Sequence, residues 1–264
     1  MPKFSINLSL LLTEMPFYQR FAAAAELGFK GVEIQFPYDY PAHDLAELAA
    51  ASGLEIVLYN FPAGDISTGD MGIAAIPGRE DEFARGVERA VEYNDVLKVK
   101  RVNILAGKIP LDVSRETAMS VLENNVKVAV DAFAGKDVDI LLEPANGVDL
   151  PNFLLQRTED AVEIIDRVGC DNVMVQLDFY HRQIMQGNLI DGLKKFLPRI
   201  GHIQFADVPG RHEPGTGEIN FDYIFKTLDE IGYEGWVGAE YHPRTNTKDS
   251  MTWFADWTRN RASS

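Results

Sequence analysis

The stretch that decides the fold runs from position 137 to position 178: Asp137-Val-Asp-Ile-Leu-Leu-Glu143, then Thr158-Glu-Asp-Ala-Val-Glu-Ile-Ile-Asp-Arg-Val168, then Asn172-Val-Met-Val-Gln-Leu-Asp178. Two short apolar runs bracket a segment with helical spacing that opens on the capping-like Thr158-Glu-Asp-Ala, so the unit reads strand, helix, strand. Both runs end on a carboxylate. Two further runs, Gly201-His-Ile-Gln204-Phe-Ala and Gly235-Trp-Val-Gly-Ala-Glu240, carry an oxygen-bearing side chain at or near their ends. The four oxygens are spaced by about one strand-plus-helix unit.

Toward the N-terminus the same alternation continues. Phe4 to Leu8 is extended and Phe17 to Leu27 helical, closing at Gly28. Gly31 to Phe36 is a strand, followed by a helix from His43 to Ser52 that stops at Gly53. Leu54 to Tyr59 pairs with a helix over Asp81 to Tyr93, and Arg101 to Leu105 with one over Arg115 to Ala134. Toward the C-terminus, strands end near Ala206 and Glu240, with helices over Leu189 to Leu197, Phe221 to Ile231 and Lys248 to Arg259. Eight such units require parallel strands with helical crossovers and close naturally into a single (β/α)₈ barrel spanning 1–264; a doubly wound open sheet is the alternative. Two connections, Asn60 to Arg79 and Asp207 to Asn220, exceed what a barrel needs. Both follow strands and fall on the face where barrel active sites are built.

Hydrophobic residues make up 46% of the 264, enough for a large core. Lys and Arg number 25 against 40 Asp and Glu, a formal charge of −15 with no basic run, which argues against nucleic acid as a partner. The one cysteine, Cys170, excludes an intrachain disulfide framework. The N-terminus has an apolar flavour but lacks the features of a cleavable leader, and no stretch reaches the roughly 18 apolar residues of a membrane span. The expectation is a soluble cytoplasmic protein; self-association is not readable, because interface patches on barrel helices look like ordinary amphipathic faces.

Acidic groups at the ends of neighbouring buried strands converge on one point, where repulsion is costly unless a cation or a shared proton lies between them. Glu143, Asp178, Gln204 and Glu240 form an all-oxygen set, suited to a hard divalent cation such as Mg²⁺ or Mn²⁺. Zinc is disfavoured, since no His or Cys pair stands at ligand spacing. On the seventh strand His202, Gln204 and Asp207 could each supply the ligand, and period-two alternation alone does not choose. His181, just past Asp178 where the strand gives way to a loop, could donate to a substrate oxygen or act as an acid. Arg79, in Ile76-Pro-Gly-Arg-Glu80, and Lys108 lie on loops after strands, where either could anchor an anion. No dinucleotide fingerprint or phosphate-cradling loop is present, so no nucleotide cofactor is expected.

The motifs Asn60-Phe-Pro-Ala-Gly-Asp65, Ile76-Pro-Gly-Arg-Glu80, Glu143-Pro-Ala-Asn146, Asp178-Phe-Tyr-His181, Glu213-Pro-Gly-Thr-Gly-Glu-Ile219 and Gly235-Trp-Val-Gly-Ala-Glu-Tyr241 resemble the hydroxypyruvate isomerase family, one of the xylose isomerase-like barrels. The similarity runs over nearly the whole chain. It implies that Glu143, Asp178, Gln204 and Glu240 hold the metal, with Gln204 chosen over its neighbours, and that Glu143 and Glu240 are the acid and base. Asn60, which opens the first motif, joins His181, Arg79 and Lys108 as a substrate-binding candidate. The implied substrate is a small anionic oxo acid: hydroxypyruvate first, with a 2-oxo-tetronate or a ketose for 3-epimerisation as alternatives. An endonuclease IV-like activity is remote, because it needs a His-rich zinc cluster and a basic cleft. One departure is visible: His242 stands where the family pattern has Lys before Pro243.

Overall fold

The computed structural model describes residues 2–262; positions 1, 263 and 264 of the expected barrel lie outside it. Eight parallel strands pair in chain order, and the last closes onto the first, which removes the open-sheet alternative. They are β1 Lys3–Asn7, β2 Gly31–Ile34, β3 Glu55–Asn60, β4 Arg101–Ile104, β5 Asp139–Leu142, β6 Val173–Asp178, β7 Ile200–Phe205 and β8 Trp236–Ala239. Around them run α1 Gln19–Glu26, α2 Ala42–Ser52, α3 Glu80–Leu97, α4 Arg115–Ala132, α5 Thr158–Val168, α6 Phe179–Met185, α7 Leu189–Phe196, α8 Phe221–Glu230 and α9 Thr252–Ala262.

Local chemistry accounts for the element ends. Gly53 and Gly169 close α2 and α5 in the left-handed conformation, where a Cβ would be strained. The Ser114 hydroxyl and the Asn220 amide oxygen cap α4 and α8 by accepting the N–H of Thr117 and of Tyr223. One expectation is corrected. His181 is on helix α6 rather than on a loop, because Asp178 ends β6 and at once caps α6, its Oδ1 accepting the Tyr180 N–H at 2.8 Å.

Every strand is buried along most of its length, and alternation divides each one between two interiors. The outward side is apolar and seats the helices: Phe205 on β7 meets Phe4, Phe221, Phe225 and Trp253 edge-on or tilted. The inward side is mixed: Ser5, Glu33, Asn103, Gln176, His202 and Gln204 are buried in the lumen, and Leu58, Leu141 and Trp236 form a separate small apolar cluster with Met174 packed against it. A barrel centre is more often filled by branched apolar side chains. Here the strand–helix layer supplies most of the apolar core, and hydrogen bonds hold the polar part of the lumen. Truncating Phe205 to Ala should therefore cost about 3–5 kcal/mol of stability, read from urea unfolding.

Candidate active site

At the C-terminal ends of β5, β6 and β8, three carboxylates are buried together: Glu143 is 6% exposed, Asp178 2% and Glu240 4%. Each is held by neutral donors on one side. Asn103 Nδ2 donates to Glu143 Oε2 at 3.0 Å, and also to Asn60 Oδ1 at 3.1 Å, tying Asn60 to this cluster. Asn7 Nδ2 and Gln35 Nε2 donate to Glu240 Oε1 at 3.1 and 3.0 Å. Burial pushes the Glu143 carboxyl well above the usual range, and the Glu240 and Asp178 charges push the same way. Burial likewise raises Asp178 to about 7, against the pull of Arg211 and with a push from Glu240. Glu240 is raised by burial, against Arg211. Three such carboxyls cannot all ionise without a compensating cation.

Of the three candidates at the end of β7, two already have partners. His202 Nε2 donates to Glu33 Oε1 at 2.8 Å, deep in the lumen. Asp207 accepts backbone N–H groups from Val208 and Ile219 on one oxygen and from Gly215, Thr216 and Gly217 on the other, so its carboxylate is consumed in shaping the loop to α8. Gln204 remains. Its register partner on β6 is Asp178, and its Oε1 accepts one bond, from Gln176 Nε2 at 2.6 Å, which leaves a second lone pair.

His181 also packs against the cluster. One ligand-type atom each of Glu143, Asp178 and His181 lie within 4.8 Å of one another, an arrangement able to hold a metal. The hydrogen bonds on the imidazole argue that its part is different. The Asn146 N–H donates to His181 Nδ1 at 3.2 Å, so Nδ1 is the acceptor nitrogen. Burial, and then Arg211, hold the ring well below its ordinary pKa, so it is neutral and its proton sits on Nε2. That Nε2–H lies 3.6 Å from Asp178 Oδ2 and 4.0 Å from Glu143 Oε1. A protonated nitrogen has no lone pair for a cation. His181 is a donor aimed into the site.

The cation in the mouth is one that strand-end reasoning does not reach. Arg211, on the loop between β7 and α8, puts Nη2 2.6 Å from Glu240 Oε2 and 3.5 Å from Asp178 Oδ2, with its guanidinium over the Tyr180 ring at 5.1 Å. Its backbone is left-handed, φ 57°, an unfavourable conformation for a residue with a Cβ. The loop holds it there: the His242 N–H donates to Arg211 O at 2.8 Å, and Asp207 gathers the following amides. The His212 Nδ1–H in turn donates to the His242 carbonyl.

Arg79 and Lys108 stand apart from this group. The Arg79 guanidinium makes paired bonds to Asp70 and to Glu82 at 2.7–2.9 Å, which neutralises it. Lys108 Nζ donates to the Gly69 carbonyl at 3.1 Å. Both brace the loop between β3 and α3.

The chemistry of the donors suits a hard divalent cation: three buried carboxyl groups against one guanidinium, with the Gln204 amide on the strand paired with that of Asp178. Because Asp178 titrates near 7 in the folded chain and near 4 unfolded, the native state binds the extra proton between those values, and its stability falls as pH rises through that window. Asp178→Asn, which keeps the helix cap, should unfold at higher temperature than wild type at pH 8 in EDTA, and the gain should vanish toward pH 4. Thermal melts across pH test this.

A family model described as xylose isomerase-like TIM barrel matches residues 21–257. The hydroxypyruvate isomerase of Escherichia coli (strain K12) is 46% identical over 96% of this chain and 98% of that protein. A 2-oxo-tetronate isomerase of Haemophilus influenzae is 44% identical over the same shares. A crystal structure titled AP endonuclease, family 2, from Brucella melitensis superposes with a TM-score of 0.94 at 40% identity, covering 97% of this chain and 99% of that one. A 3-keto-D-glucoside 4-epimerase from E. coli, with a TM-score of 0.82 at 22% identity over 97% of this chain and all of that one, shares the fold. The chain is an isomerase and belongs to the xylose isomerase-like TIM barrel family.

Proposed function

We propose that this isomerase interconverts hydroxypyruvate and 2-hydroxy-3-oxopropanoate, with Glu143 and Glu240 as the proton-transfer pair. The observation that carries the reading is two buried glutamates, both pushed toward protonation, facing one site beside a single guanidinium. Such a pair can present one ionised and one protonated carboxyl at the same moment, which a proton transfer between adjacent carbons requires. One glutamate takes the proton from C3 of hydroxypyruvate, and the resulting enediolate receives a proton at C2 from the other. The hydroxyl proton passes from the C3 oxygen to the C2 oxygen, which completes the exchange without redox partners.

Glu143, Asp178, Glu240 and Gln204 Oε1 would hold a hard divalent cation, Mg²⁺ or Mn²⁺, whose chemistry is to offset negative charge on the enediolate oxygens. His181 donates from Nε2 to a substrate oxygen, with Asn146 fixing the tautomer. Arg211 takes the substrate carboxylate, the role that Arg79 and Lys108 suggested from sequence, because its guanidinium alone of the three is inside the cluster. Asn60 stays a substrate contact through its shared bond with Asn103.

A 2-oxo-tetronate is the competing substrate, supported by the 44% identity to a 2-oxo-tetronate isomerase. Ratios of kcat/KM for the two oxo acids, with and without EDTA, separate the readings.

Glu143→Gln and Glu240→Gln should each lower turnover by at least about a hundredfold and suppress uptake of solvent deuterium into substrate. A near-normal rate in either variant removes that residue from the proton path. Arg211→Met should raise KM for hydroxypyruvate by about tenfold or more, while KM for the neutral analogue dihydroxyacetone moves far less. Equal effects on both would place Arg211 outside carboxylate recognition.

A further inference from the structure

Beneath the cluster lies a fourth buried acid that the proton-transfer scheme does not use. Glu33, on β2, is fully enclosed, and its side chain crosses the lumen to strands on the far side. Oε1 accepts the Ser5 hydroxyl at 2.6 Å and His202 Nε2–H at 2.8 Å; Oε2 accepts Gln204 Nε2–H at 2.8 Å. All three partners donate, so both Glu33 oxygens act as acceptors. The crossing depends on β8 having glycine at 238, since a Cβ there would stand 1.9 Å from Glu33 Oε1.

An amide can present either end to a neighbour, and only its oxygen can bind a hard cation. A carboxylate below Gln204 attracts the NH₂ end and repels the oxygen, so it removes one of the two amide orientations. The oxygen is left to face away from Glu33, where it accepts from Gln176 Nε2 at 2.6 Å. Gly238 and Gln204 are register partners, which puts the device one strand step below Glu240.

We infer that Glu33 is a positioning residue: through Gln204 it orients the amide oxygen toward the divalent-cation site. This rests on the reading of Gln204 as a ligand. Through that one bond a lumen acid that touches neither substrate nor cation sets the affinity for the ion.

The test is Mn²⁺ binding to the full chain by isothermal titration calorimetry, alongside the melting temperature of each metal-free variant. Gln204→Ala should weaken Mn²⁺ binding. Glu33→Gln should weaken it by about 10–100-fold, the range for a group that orients a ligand. Gly238→Ala, which keeps every charge but displaces the carboxylate, should do likewise, and it serves if Glu33→Gln does not fold. In the Gln204→Ala background neither change should cost further affinity. If Gln204→Ala weakens binding while Glu33→Gln and Gly238→Ala lower only the melting temperature, Glu33 is structural and the inference falls alone. If Gln204→Ala binds Mn²⁺ as wild type does, the ligand reading of Gln204 fails, and the inference with it. Additive losses in the double variants overturn the coupling through Gln204.

Discussion

Confining several carboxylates at one end of a closed barrel is the constraint around which the rest of the molecule is arranged. Glu143, Asp178 and Glu240 are all buried, and each resists ionisation because water is excluded. Removing water is the service that barrel closure performs, since the last strand pairs with the first and leaves no edge. What offsets the cost is neutral amide donors beneath, from Asn7, Gln35 and Asn103, and one guanidinium above, from Arg211. Too few charges are supplied to satisfy the acids fully. That residual demand makes the site receptive to a proton or a cation.

The same constraint explains the polar layer of the lumen. Acids at the strand ends need partners in the layer below, and those partners need partners in turn. Gln176 donates to Gln204, Gln204 to Glu33, and Glu33 also receives Ser5 and His202. Removing one member leaves others buried and unsatisfied, which costs more than the bond itself contributes. Most of the apolar packing lies in the outer layer, where Phe4, Phe205, Phe225 and Trp253 lock strands to helices. No helix among the described residues is long and apolar enough to cross a membrane.

Much of the fold was legible, because alternating periods of two and 3.6 residues are written in the chain itself. The strand-end acids were legible for the same reason, since a polar residue closing an apolar run marks itself. Arg211 was not. Pro77-Gly-Arg79 and Pro209-Gly-Arg211 are the same tripeptide, each on a loop after a strand, and local sequence cannot say which arginine turns inward. Asp70 and Glu82 claim the first; the second faces Glu240 and Asp178. Glu33 offered a signal, a charged residue inside the apolar Val32-Glu-Ile34, whose meaning depends on strands far along the chain.

The sequence by itself determined the (β/α)₈ order, the long loops on the catalytic face and the identity of the acids at the strand ends. Periodicity and spacing are local properties, and local sterics enforce them. Tertiary structure decided which polar group on each face is spent on a neighbour and which is left for chemistry. His202 went to Glu33, Asp207 to its loop amides, His181 to the Asn146 N–H that fixes its tautomer, and Arg79 to an ion pair. Those assignments follow from distances between groups far apart in the chain, 171 residues for Glu33 and Gln204 and 233 for Asn7 and Glu240. A hydrogen bond depends on separation in space, and only closure of the barrel sets that.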